Sequence, residues 1–85
     1  MNQPEVRSGE WISIGDNNIP AVVCNVLKDS EQIEVVYYNN KAISEMVRWN
    51  GTCWEFLHHG ASGNYADLQP RLQEFVEILK SGRRF

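Results

Sequence analysis

Cysteine is scarce in this chain: only Cys24 and Cys53 are present, with no Cys-x-x-Cys pair. That excludes a disulfide framework and the spaced thiolate pairs of structural zinc sites. No apolar run is long enough to span a bilayer, and no leader-like apolar segment opens the sequence, so no membrane association is expected. Two reduced thiols in the cytoplasm are the economical expectation. Basic charge is also thin. The net charge is −3, and Lys and Arg are scattered apart from Arg83 and Arg84. Nucleic acid is therefore a disfavoured partner, because its binding rests on neutralising several phosphates. Gly60-Ala61-Ser62-Gly63 lacks the lysine and spacing of a phosphate loop. Internal repeats and low-complexity tracts are absent.

What the 85 residues do hold is ring and β-branched carbon: 42% are hydrophobic and 11% aromatic. One small domain is implied, with large rings supplying the area that so short a chain needs for a core. The strongest local signal is Val47-Arg48-Trp49-Asn50-Gly51-Thr52-Cys53-Trp54-Glu55-Phe56. Asn-Gly between alternating runs predicts a two-residue hairpin turn, with both central residues at positive φ. In that register Trp49 and Thr52 flank the turn, Val47 faces Trp54, Glu45 faces Phe56, and Arg48 pairs with Cys53. Two indoles and a phenyl ring then share one face.

Residues 1–8 are polar and aperiodic and are expected to form a flexible arm. Strands are expected at Glu10–Ile14, Ile19–Leu27, Gln32–Tyr38 and Ala42–Trp49, followed by the second half of the hairpin. Gly15-Asp16-Asn17-Asn18, Lys28-Asp29-Ser30-Glu31 and Asn39-Asn40 supply the turns. Ile19–Leu27 is apolar on both faces as far as Asn25, which predicts a central strand covered on each side. Five short strands at this spacing suit a small barrel or sandwich. A helical period then takes over: Leu68, Leu72, Phe75, Val76 and Leu79 form one stripe. Asp67 is the expected N-cap, Pro70 sits in the first turn, and Lys80 and Gly82 suit the C-terminal end. Such a helix is marginal alone and must lie on the sheet or on another chain. Residues 58–66, containing His58 and His59, form the expected loop between barrel and helix.

Gly9-Glu10-Trp11, Ile19-Pro20-Ala21-Val22-Val23, Val35-Val36-Tyr37-Tyr38 and Glu45-Met46-Val47-Arg48-Trp49 together resemble the SH3-like small barrels of the Tudor and PWWP type. The resemblance covers residues 9–57. It implies a mainly β fold, a five-stranded antiparallel SH3-like barrel over 9–57; the helical period adds a C-terminal amphipathic helix over 67–81 that caps or flanks it. Tudor-like domains often hold a methylated cation among ring faces. By motif position the rings would be Trp11, Tyr37 or Tyr38, and Trp49, with Glu45 or Asp16 as the acidic partner.

Catalysis is not expected. Cys24 lies in the most apolar strand, and neither cysteine has a visible orienting third residue or oxyanion motif beside His58 or His59. Glu34, Glu45 and Glu55 fit solvated cross-strand charges. Adjacent histidines point to opposite sides of an extended chain, so no metal or other cofactor is expected. The favoured reading is a binding or adaptor module recognising a peptide or protein. Its aromatic surface would comprise Trp11, Tyr37, Tyr38, Glu45, Arg48 and Trp49, types that carry interface hot spots. The alternatives are a self-associating homodimer, because a thin core and exposed strand edges invite pairing, and a single-stranded nucleic-acid binder that stacks bases on its rings.

Overall fold

A computed structural model describes residues 5–26, 32–57 and 64–82. Alternating β-branched and polar residues fold as β1 (Trp11–Ile14), β2 (Ile19–Val26), β3 (Gln32–Asn39), β4 (Lys41–Trp49) and β5 (Trp54–Phe56). Consecutive strands pair antiparallel. Five alternating strands leave the first and last pointing the same way, so the barrel closes through a parallel contact. Ile14 pairs with Trp54, and the Gly15 N–H donates to the Trp54 carbonyl at 2.8 Å. Asn18 (φ 52°) and Asn40 (φ 68°) supply the left-handed corners of the first and third connections.

Two apolar clusters lie on opposite sides of this wall. Ile14, Ala21, Val23, Ile33, Val35, Tyr37, Ile43, Val47 and Trp54 fill the barrel. Val22, Cys24, Val36 and Ala42 point outward, against the C-terminal segment. The strand β2 is thus covered on both faces, as its unbroken apolar run requires. Its register shifts between Val23 and Asn25, leaving Cys24 as a bulged residue, so that Val26 returns to the interior three places after Val23. Ser8 Oγ donates to the Cys24 carbonyl at 3.0 Å, and the Gly9 N–H to the Val23 carbonyl at 2.7 Å. Val6 packs against the barrel interior. The expected flexible arm is therefore docked from Val6 onward, while residues 1–4 lie outside the described residues.

The expected loop over 58–66 contains a short strand, β6 (Asn64–Tyr65), paired with β4 through Ile43 and Ser44. Residues 58–63, with both histidines, lie outside the described residues, as does the turn at 27–31. Two 3₁₀ turns follow, Ala66–Leu68 and Pro70–Leu72, and then the helix α1 (Gln73–Ser81). A continuous helix from Asp67 does not form. Pro70 disfavours the helical region for the residue before it, and Gln69 is extended (φ −115°, ψ 106°). Asp67 therefore sits within the first turn and does not cap α1. Leu72, Val76 and Leu79 are buried, with Phe75 and Ile78 at the margin. Leu68 is thrown off this stripe and is 77% exposed. Gly82 ends α1 in the left-handed region, its N–H on the Leu79 carbonyl, as the sequence predicts.

Candidate functional site

The Asn50-Gly51 hairpin forms with a longer loop than the sequence predicts. Trp49 faces Trp54, Val47 faces Phe56, and Arg48 faces Glu55. Gly51 takes φ 100°, but Asn50 does not enter the left-handed region that a two-residue turn demands. Its side chain closes the turn instead: Oδ1 accepts the Thr52 and Cys53 N–H groups, both at 2.9 Å. The register moves by two residues, so every side chain keeps its face. Both indoles and the phenyl ring still point inward, with Trp49 edge-on to Trp54 at 5.4 Å between centroids. Cys53 loses Arg48 as partner, and Arg48 Nε donates to Glu55 at 3.1 Å.

The six favoured residues do not share a surface. Tyr37, Glu45 and Trp49 belong to the barrel side. The Tyr37 hydroxyl donates to Glu45 Oε2 at 2.8 Å, and its ring lies 5.1 Å from Phe56. Trp11 lies outside, packed at the edge of the cluster beneath α1. Tyr38 and Arg48 point outward and are exposed. A cation cage from Trp11, Tyr37 or Tyr38, and Trp49 is not assembled, because the barrel wall separates its members. The three glutamates also stay apart: Glu34 meets Arg71, Glu45 meets Tyr37, and Glu55 meets Arg48. Among the described residues, no three of His, Cys, Asp and Glu come together as a metal could require.

What the sequence reading missed is a group at the β3–β4 hairpin end. Tyr65 is 51% exposed beside Lys41, whose Nζ lies 4.9 Å from the ring centroid. Leu68, 77% exposed, comes three residues after Tyr65, and Tyr38, 46% exposed, stands on the other face of the same hairpin, opposite Ala42. Gln69-Pro70 was the available signal, since a helix interrupted there releases Leu68 from the buried stripe. A polar clasp holds the segment beyond. Arg71 makes two 2.8 Å bonds to Glu34, and Gln69 Nε2 donates to Ser44 Oγ at 3.1 Å. Gln73 Nε2 reaches the Ala66 and Gln69 carbonyls at 3.2 and 3.1 Å.

Two buried acids make stability fall at alkaline pH. Burial, reinforced by the charge of Glu34 and opposed by Arg71, pushes the Cys24 thiol from 9.0 to about 12. Burial, then the hydrogen bond and charge of Glu45, pushes the Tyr37 phenol from 10.0 to about 12. Both folded-state values lie above the unfolded ones, so the folded chain binds these protons more tightly. This contribution is complete below pH 9, declines from there for Cys24 and from pH 10 for Tyr37, and is lost by about pH 12. Urea midpoints should drop over that window. Tyr37→Phe should flatten the upper part and Cys24→Ala the lower; parallel curves for all three proteins would contradict the assignment.

The described chain is a small closed five-strand β-barrel with one C-terminal helix on its outer face. No described helix is long and apolar enough to cross a membrane. No family model matches the chain, and neither the curated proteins nor the solved structures give a match.

Proposed function

We propose that the chain is a non-catalytic binding module that holds a peptide or protein partner at the β3–β4 hairpin end. Tyr65 and Lys41 form the centre of the contact, Leu68 extends it three residues on, and Tyr38 stands at the other face of the hairpin. One observation carries this reading: Tyr38, Tyr65 and Leu68 are the large hydrophobic side chains left exposed among the described residues. Among the described residues the other large apolar side chains are buried or half-buried while these stay in water, and tyrosine suits a contact that is apolar on one side and wet on the other. Lys41 adds a cationic rim. Of the residues favoured by sequence only Tyr38 belongs here, since Arg48 is engaged with Glu55 at a distance. The likeness to Tudor and PWWP barrels supports the barrel and not a methyl-cation cage, given where the rings lie. Two free thiols suit a cytoplasmic setting.

The test is selection from a random peptide display library, followed by affinity measurement on variants. Tyr65→Ala and Leu68→Ser should each weaken the selected peptides by about tenfold or more, the scale of a hot-spot truncation. Glu77→Gln, on the exposed face of α1, should leave them unchanged. Equal affinity for all variants would refute the surface. A dimer in sedimentation that Leu68→Ser dissolves would instead assign the surface to a second copy of the chain.

A further inference from the structure

The barrel and the C-terminal segment are held by different forces. The five barrel strands close on themselves through backbone pairing, in which residues 66–82 take no part. The two apolar clusters share no residue. Residues 66–82 rest on the outer wall through Leu72, Val76 and Leu79, with Phe75 and Ile78 beside them. A two-bond polar attachment is the Arg71–Glu34 pair, whose Arg71 side chain is 60% exposed. The Glu34 side chain is only 14% exposed, but with its partner half in water the pair remains a modest tie even with two bonds in good geometry. Beneath the segment lies Cys24, buried on the bulge of β2.

We propose that residues 66–82 form a strap that lifts from the barrel as a unit while the barrel stays folded, with the Arg71–Glu34 pair as its latch. Lifting uncovers the outward faces of Val22, Val36 and Ala42 together with the Cys24 thiol. A closed strap and an open one are then two states of the same folded chain, as expected where a segment's contacts are separable from those of the main core. The apolar stripe of α1 keeps the closed state dominant, and the latch sets how often it opens.

Thiol labelling under native conditions tests this. A Cys53→Ser background leaves Cys24 as the reporter, and 5,5′-dithiobis(2-nitrobenzoate) is the probe. Cys24 should react through an opening whose urea dependence is well below that of global unfolding, because less surface is exposed. Arg71→Ala should raise the labelling rate about three- to tenfold, the effect of losing a well-formed, partly exposed pair. The global unfolding midpoint should fall by no more than the same free energy, because the closed strap is the starting state for both openings. Glu55→Gln, which breaks the ion pair away from the strap, should leave the rate unchanged. A Cys24 rate that carries the full urea dependence of global unfolding would overturn the proposal. So would a rate indifferent to Arg71→Ala.

Discussion

Trp54→Ala should cost about 3–5 kcal/mol, the range for removing a buried aromatic side chain, and should leave much of the chain unfolded at room temperature. The expectation rests on three roles that meet in one residue. Its ring is buried in the barrel, 4% exposed, and lies edge-on to Trp49. An aromatic pair of this geometry adds about 0.5–1.5 kcal/mol beyond area. Its backbone forms the parallel contact with Ile14 that closes the barrel. A small domain has total stability of only about 5–15 kcal/mol, and 85 residues place this chain near the lower end. Urea titration followed by far-UV circular dichroism measures the loss. A drop below about 1.5 kcal/mol would mean that Trp49 and Phe56 close over the gap. Phe in place of Ala should recover much of the stability, since it refills most of the volume.

The barrel was legible because period and turn chemistry agreed. Alternation in Gln32–Tyr38 and the double-sided run of Ile19–Leu27 leave little choice about which residues face inward. Asn50-Gly51 announced a hairpin, and its inward rings survived an error of two in register because the strand period is two. The bulge at Cys24 was not legible, since nothing in Val22-Val23-Cys24-Asn25 distinguishes an extra residue from a regular one. It becomes explicable only when Ser8 is seen taking the Cys24 carbonyl.

The favoured binding residues were misplaced for a related reason. Residue type marks what a side chain can do, while its face decides whether it meets solvent. Tyr37 and Tyr38 are neighbours of the same type, yet one donates to Glu45 inside the barrel and the other stands in water. Leu68 shows the converse. Helical spacing puts it on the buried stripe, and Pro70, two residues on, fits a first helical turn by its missing N–H. Its restriction on Gln69 splits the segment into two turns and sets Leu68 free. A proline with leucines two residues to either side thus bears on both helix start and surface composition.

Val76→Asp should detach α1 and spare the barrel. Val76 is fully buried against the outer wall, within a cluster of apolar side chains. Leaving a carboxylate there costs several kcal/mol, more than the docking of a short helix can offset. The chain can escape that cost without unfolding its main core, because the residues lining the barrel are not among those Val76 touches. Once undocked, a nine-residue helix does not persist in water, so its 222 nm signal should disappear. The near-UV signature of the Trp49–Trp54 pair should remain, and Cys24 should react about as fast as an exposed thiol of raised accessibility permits. Val76→Ala, which deletes methyl groups without adding charge, should cost only about 1–2.5 kcal/mol and keep the helix docked. If Val76→Asp abolishes the indole signature along with the helix, the two clusters unfold as one, and the outer layer is a condition of the barrel rather than an addition to it.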